Sequence, residues 1–594
     1  MPGTRRNSRV VFSRPDALKL FFALPLILVV FRLFVIQVLD HEDYKVMAAE
    51  QHWIVQEIPP KRGDILSRDG FVLAGIKTNY ILFAEPNKVE RKDLMAKDMA
   101  RILANYEPED KRAEQYDFYF NKITGLLNSG LQWVIVEKSI DQSQKEALEE
   151  AGIEGIGFEE DPLRYYPEKT LCSHVLGFLA SNEGGDKQGY YGIEGKLNGD
   201  LKGKSGRVVQ EKDARGDPIL IGGFEKVPPI NGRKAVLTID RSVQYLVERK
   251  LKEGVEKYKA VSGSVIVMDP MTSEVIAMAN YPTYSPDNFG YVQEEEVDGS
   301  ETEKMERKNF SISETYEPGS VLKPLTVAAA LDMGRLTLES TFNDEGPVQY
   351  SDYVIDNWDG KHHGVQNIIQ LLQKSNNIGA AWVGHQVGAK KLSEYLVKFG
   401  LGSNTGIDLE GEDTGVIRDP KIWTDIDLAT ISFGQGISAT PLQVLNAFNV
   451  FANGGELYQP KIVHMIIDNG EEIDIPKRKI GRVISEDTAD TMMSALVEAV
   501  SGGESKYYNI TTYKIAGKTG TAQVPSPDGK YDQNKTNATF LGIMATTKKF
   551  SMIVKLNEPT TSTFASETAV PLWMDMAKDL INYYGIAPDT VQSD

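Results

Sequence analysis

Three short polar runs hold the residues in this sequence that could do chemistry. They are Ser320-Val321-Leu322-Lys323, Ser375-Asn376-Asn377 and Lys518-Thr519-Gly520-Thr521. In the first, Pro318-Gly319 interrupts a helix and Val327 to Leu331 propagates one, which predicts Ser320 at or beside a helix N-terminus with Pro324 in the first turn. Lys323 then shares a face with Ser320. The positive end of a helix favours an alkoxide-like serine and a neutral lysine, and a desolvated neutral lysine can take the serine's proton. The pair is a candidate nucleophile and base for acyl transfer. The Ser320 backbone N–H and a second N–H across a cleft would hold the oxyanion. Taken singly, the run also fits a serine cap beside a surface lysine.

Lys514 to Val524 reads as a strand of small residues, with Thr519 and Thr521 on one face and Lys518 and Gly520 on the other. The threonine hydroxyls can bind a terminal carboxylate, with Lys518 supplying positive potential. Gly517 and Gly520 admit a second backbone, so a peptide could lie along this strand as an added one, with the Thr521 N–H as second oxyanion donor. Alone, the run also fits a Gly-rich edge strand. A phosphate loop is excluded, because position 512 is Thr where that spacing needs Gly. Ser375-Asn376-Asn377 follows an apolar-periodic helix, Val365 to Leu372, and by itself reads as a helix-end turn.

The elements that must position these runs begin near Lys234. Ala235 to Asp240 reads as a strand, and Arg241 to Tyr258 as an amphipathic helix capped by Asp240. Gly263 to Met268 and Glu274 to Ala279 form one hairpin, Ala538 to Ala545 and Phe550 to Leu556 another, and a helix from Thr568 to Tyr584 closes the region. Strands at both sequence ends with helices between them predict an antiparallel sheet flanked by helices. Glu294 to Arg307 reads as a solvated loop or helix face, and Val524 to Asn537 as a mobile loop at the cleft rim. Upstream, Asp69-Gly70 marks a tight hairpin, residues 91 to 155 are helix-prone, and Gly206 to Gln210 is a strand among turns.

At 594 residues the chain is too long for one ordinary domain. Its 41% apolar and 25% charged residues are those of folded globular material, and its net charge of −19 disfavours nucleic acid. A single cysteine, Cys172, excludes an intramolecular disulfide and Cys-rich zinc motifs. No cofactor or metal is expected, and His362-His363 reads as a polar turn. Leu20 to Leu39 is almost wholly apolar and about 30 Å long as a helix, enough to span a bilayer. Arg5, Arg6, Arg9, Arg14 and Lys19 precede it, and Asp40, Glu42 and Asp43 follow. The positive-inside rule puts the N-terminus in the cytoplasm and the bulk of the chain outside. Without a small-x-small cleavage site after it, the segment is expected to remain as an anchor. Arg32 within it either snorkels to the interface or meets a partner helix.

With these residues in hand, the sequence resembles the class B penicillin-binding proteins, the monofunctional peptidoglycan D,D-transpeptidases. Besides the three runs, Arg62-Gly63 through Arg68-Asp69-Gly70 to Leu73-Ala74 matches the opening of the family's pedestal, with Ser67 where Asp is usual. Arg164 to Pro167, His174 to Gly177, Gly192-Ile193-Glu194 and Gly434 to Ile437 with Thr440 to Gln443 match further stretches. The resemblance implies an α+β multidomain protein. Residues 1–19 would be a cytoplasmic tail, 20–39 a transmembrane anchor and 40–230 an elongated mixed α/β pedestal of dimerisation type. Residues 234–586 would be a serine β-lactamase-like transpeptidase domain, and 587–594 a tail.

It also implies the roles. Ser320 is acylated by a stem peptide ending in D-Ala-D-Ala, Lys323 is the base, Ser375 relays a proton between Lys323 and the leaving amine, and Asn377 binds the substrate backbone. Lys518, Thr519, Gly520 and Thr521 hold the carboxylate side, and the Ser320 and Thr521 N–H groups form the oxyanion hole. β-Lactams would acylate Ser320 and stall. Implied partners are stem peptides, a separate SEDS-type polytopic membrane glycosyltransferase and other divisome or elongasome proteins, at the inner (plasma) membrane of a bacterium. Tyr316-Glu317-Pro318-Gly319-Ser320 is closer to the division-specific branch, with the elongation-specific one as alternative. A D,D-carboxypeptidase, a β-lactamase or a β-lactam sensor would share these runs. The anchor and pedestal count against a free hydrolase, and the short segment before the anchor against a sensor. A Ser-His-Asp hydrolase lacks its Gly-x-Ser-x-Gly elbow here.

Overall fold

The computed structural model describes residues 14–45, 53–182, 185–211, 219, 224–288, 308–350, 352–525 and 531–589. Outside these lie Arg5, Arg6 and Arg9, the charged run 294–307, part of the Gly184–Gly223 turn region and the last residues of the tail. The chain divides into two compact units, Met1–Pro60 with Gly203–Asn231, and Lys61–Lys202 with Gly232–Asp594.

The first unit carries helix α1 (Arg14–Phe34), which runs into a π-helical turn, Val35–Leu39. Phe21–Leu39 is long and apolar enough to cross a membrane, with mean hydropathy 2.5. Pro25 sits inside α1, tolerable where neighbouring groups re-satisfy the freed carbonyl. A three-stranded antiparallel sheet pairs Trp53–Ile58 with Gly206–Glu211 and that strand with Phe224–Val227.

In the second unit, Ile65–Leu66 and Val72–Lys77 form the expected hairpin, with Gly70 at φ +81° in the turn. Ser67 closes it: its Oγ accepts from the Phe71 N–H at 3.1 Å and donates to Asp69. Three helices, Lys92–Ala104, Arg112–Leu127 and Gln142–Glu150, pack on a small sheet around Leu82, Met99, Leu103 and Ile123. Within the helix-prone stretch, Val134–Ile140 is a strand of that sheet, its apolar residues alternating in burial.

Near the hairpin, Arg62 and Arg164 both bond the fully buried Glu194, at 2.7 and 2.5 Å through their Nε groups. Arg164 also donates to Gly63 O at 2.9 Å, and Arg62 to Asn198 Oδ1 at 2.9 Å. Lys234–Leu237 pairs parallel with Ile65–Leu66 and antiparallel with Val463–Asp468, so one six-stranded sheet contains strands from both sides of residue 230.

The catalytic region opens with α2 (Arg241–Tyr258), whose N-terminal Ser242 and Val243 N–H groups are capped by Asp240 at 3.0 and 3.1 Å. The strands are β1 (Ser262–Met268), β2 (Val275–Tyr281), β3 (Ile515–Pro525), β4 (Tyr531–Met544) and β5 (Ser551–Asn557), in the order β2-β1-β5-β4-β3, antiparallel throughout. Both faces are buried, and the period of two divides them cleanly. Val265, Val267, Phe540 and Val554 join α2 and the closing helix Ala569–Tyr584, whereas Ile266, Leu541 and Ile553 join the helical lobe. Gly542 is needed where Trp573 lies against the sheet: a Cβ there would stand 2.6 Å from the indole, whose Nε1–H donates to Met552 O at 2.7 Å.

The helical lobe holds α3 (Lys323–Asp332), α4 (Ile368–Lys374), α5 (Asn377–Val387), α6 (Pro441–Ala452) and α7 (Glu486–Gly502). Every residue of α6 is buried, its polar ones included: Gln443 donates to Ser403 O and Thr414 O, and Asn446 to Tyr458 O. Two expectations change. Gly364–Asn367 is a strand and α4 begins only at Ile368, because Asn367 caps it with a capping box. Much of the expected rim loop is strand: Val524 pairs with Asp532 and Pro525 with Tyr531, leaving residues 526–530 outside the description.

Candidate active site

Ser320 lies on a 3-10 turn, Gly319–Leu322, that leads directly into α3, with Pro324 in the first helical turn. Gly319 takes φ +58°, which bends the chain into that turn. Backbones clamp it from two sides. A Cβ on Gly434 would fall 2.1 Å from Gly319 O, and one on Gly520 2.9 Å from Val321 Cγ1. The Gly319 N–H donates to Gly434 O at 2.9 Å, and Glu317 Oε1 accepts from the Gly436 N–H at 2.9 Å. Glu317 also accepts from Tyr531 OH at 3.0 Å, tying the β3–β4 hairpin to the turn. Ser320 is half-buried, and its Oγ makes no hydrogen bond among the described residues.

Lys323 is fully buried at the start of α3. Its Nζ donates to Ser375 O at 2.5 Å, to Asn377 Oδ1 at 2.9 Å and to Ser375 Oγ at 3.2 Å. Lys518 reaches the same hydroxyl from β3: its Nζ donates to Ser375 Oγ at 3.0 Å and to Thr519 Oγ1 at 3.0 Å. All three sequence runs therefore meet at Ser375 Oγ, which bridges two buried amines. Burial, and next the Lys518 charge, push Lys323 well below the ordinary lysine range. Burial also lowers Lys518, while Glu504 opposes the shift. Burial that disfavours the charged form makes each ammonium readier to give up its proton.

The sequence left the support of this bridge invisible. Ser375 caps α4 in the left-handed conformation, φ +54°, rare for a residue with a Cβ. The turn is held from below by Asp344, fully buried, which accepts from Asn376 Nδ2 at 2.7 Å and from Asn357 Nδ2 at 3.0 Å. Asn357 in turn accepts the Asn377 N–H at 3.0 Å. His362 bonds Asp344 at 3.2 Å. Trp358 and Phe564 meet edge to face at 5.4 Å, one from the Asn377 side and one from the segment that follows β5. Neither lies in a motif. Glu504, at the end of α7, accepts the Thr519 hydroxyl at 2.7 Å. Gly520 packs on the Ser320 turn, and Thr521 Oγ1 accepts from the Ala565 N–H at 3.1 Å.

A cavity of about 560 Å³ lined by Phe310, Tyr316, Glu317, Ile437 and Asn557 adjoins the segment before Ser320. Neither Ser320 nor any of the lysines above lines it, whereas Val524 of β3 does. No cluster suited to a metal occurs among the described residues.

Two family models match this chain. Residues 263–578 match the penicillin binding protein transpeptidase domain, and residues 57–237 the penicillin-binding protein dimerisation domain. Stage V sporulation protein D of Bacillus subtilis is 31% identical, over 89% of this chain and 79% of that protein. Peptidoglycan D,D-transpeptidase FtsI of Escherichia coli is 28% identical, over 90% and 86%. The crystal structure of penicillin binding protein 2X from Streptococcus thermophilus superposes with TM-score 0.75 at 25% identity, over 89% and 80%.

Proposed function

This chain belongs to the penicillin-binding-protein transpeptidases, of the class B, FtsI-like kind, and from that membership we propose how its residues carry out peptidoglycan D,D-transpeptidation. Lys323, acting in the neutral form that its burial favours, takes the proton of Ser320 Oγ as that oxygen attacks the carbonyl of the penultimate D-Ala of a stem peptide. The Ser320 and Thr521 N–H groups hold the oxyanion. As the tetrahedral adduct collapses, the C–N bond breaks and the proton returns through Ser375 to the leaving amine of the terminal D-Ala. An amine of a neighbouring stem peptide then attacks the Ser320 ester, loses its proton to Lys323 and forms the cross-link, restoring Ser320 as the alcohol. Asn377 holds the donor's backbone, and Lys518, Thr519 and Thr521 its carboxylate. A β-lactam follows the first half of this route and remains on Ser320.

The observation that carries the reading is the Ser375 hydroxyl set between Nζ of Lys323 and Nζ of Lys518, at 3.2 and 3.0 Å. It gives a proton a path between two groups whose charge burial has already weakened. The apolar helix supports a membrane anchor. We place that anchor in the plasma membrane of a bacterium with its N-terminus in the cytoplasm, from the basic residues before it and acidic residues after it. Septal synthesis in cell division is the role, beside a SEDS-type glycosyltransferase that makes the glycan. The sporulation relative favours wall synthesis during sporulation as a second reading.

Labelling with a fluorescent penicillin tests the assignment. Wild type should retain the label and Ser320→Ala should not; label persisting at the site in Ser320→Ala would overturn it.

A further inference from the structure

Thr519 has one hydroxyl proton, and it lies in the 2.7 Å bond to Glu504 Oε2 while the oxygen accepts from Lys518. Thr521 differs. Its oxygen accepts from the Ala565 N–H, and its own proton has no acceptor among the described residues. Of the two hydroxyls on this face of β3, one is open to a ligand and the other is already committed to a carboxylate of the protein.

Glu504 is built into that position. It follows Gly502-Gly503 at the end of α7, where a Cβ on Gly503 would stand 2.3 Å from Ala499 O and 2.7 Å from Gln373 O. One on Gly502 would stand 2.4 Å from Gln373 Nε2, which itself donates to Glu498 O at 3.0 Å. The next residue, Ser505, is buried and donates to Val500 O at 3.3 Å. Gln373 belongs to α4, just before Ser375, so the packing that ends α7 also fixes Glu504 against the reacting groups.

We propose that Glu504 is an internal carboxylate that fills, in the free enzyme, the place taken on binding by the terminal carboxylate of the donor peptide or β-lactam, and so sets how strongly the site selects for that carboxylate. The inference rests on Ser320 being the acylated nucleophile. An arriving carboxylate must draw the Thr519 proton away from Glu504 and approach a like charge, while Lys518 exchanges one anion for another. An uncharged ligand makes no such exchange. Removing the charge of Glu504 therefore acts twice in one direction: nothing repels the ligand's carboxylate, and Lys518 finds an anion only in the ligand.

The test uses the full-length chain in detergent. Second-order acylation rates by benzylpenicillin and by its methyl ester are compared in wild type, Glu504→Gln, Glu504→Ala and Glu504→Asp. The acid-over-ester ratio should rise about tenfold in the Gln variant, the weight of one pK unit of charge interaction. It should rise in the Ala variant too and stay near wild type in the Asp variant, which keeps the charge. A ratio in the Gln or Ala variant equal to or below that of wild type overturns the inference. Failure of wild type to acylate at Ser320 overturns the acylation reading itself, and this inference with it.

Discussion

Glu194 and Glu504 each serve two cationic side chains, one in the region ahead of the catalytic sheet and the other at its edge. Around Glu194 the cations are Arg62 and Arg164, whose side chains are 7% and 3% exposed, and every carboxylate oxygen is bonded at close range. Around Glu504 they are Lys323 and Lys518, and the carboxylate bonds neither directly. It reaches them only as a charge and through Thr519. Guanidinium keeps its proton in any protein environment, whereas a buried ammonium gives its proton up readily. The first cluster is thus a fixed joint. The second is a place where protons can move, and its looser pairing is what allows that.

The strongest way to break the comparison is Lys323→Met. Acylation of Ser320 should fall by about 10³-fold, the scale of losing a positioned general base, with no loss of folding stability at neutral pH. If the variant instead unfolds readily, the lysine cluster is a structural joint like the arginine one. Its pH dependence sharpens the point. The folded state holds Lys323 below its ordinary value of 10.5, so between the lowered and ordinary values the unfolded chain binds more protons. Stability should therefore rise with pH through that window, and acylation should rise as Lys323 loses its proton. Lys323→Met should flatten both, as followed by denaturant unfolding and labelling rate across pH.

Next in size is Glu194→Gln, which leaves two buried guanidiniums without an anion. It should cost about 3–5 kcal/mol of stability, read as a lower denaturant midpoint. Acylation of the surviving folded fraction should stay near wild type. A variant as stable as wild type would mean the arginines relax to water. The smallest effect is expected at Ser67→Ala, which removes the acceptor of the Phe71 N–H in the hairpin after Gly63. It should cost about 1 kcal/mol and leave the acylation rate unmoved. A change in rate would show that this hairpin is coupled to the active site.

What the sequence made legible was local. Ser320 before a helix, Asp240 as a cap and the apolar runs of β1 and β5 all follow from neighbours in the chain. Val365 was misread as helical because an apolar run fits either period, and only the cap at Asn367 marks the true start. The Val524–Asn537 stretch has the composition of a loop, yet backbone pairing with the opposite arm needs no particular side chain. Glu504 and Asp344 carry no local signal. Each acts on residues brought to it by the fold, and an isolated acid after two glycines reads as surface.

The strand Lys234–Leu237, lying between Ile65–Leu66 and Val463–Asp468, bears on how this protein can be taken apart. Cutting the chain just ahead of it would strip one partner from a strand whose Ala235, Val236 and Leu237 are buried. The raw edge would be a template for self-association. The catalytic region and the hairpin at residues 65–77 thus belong together, and a soluble enzyme should be cut after the anchor and ahead of Trp53, sparing this sheet and the pairing of Trp53–Ile58 with Gly206–Glu211.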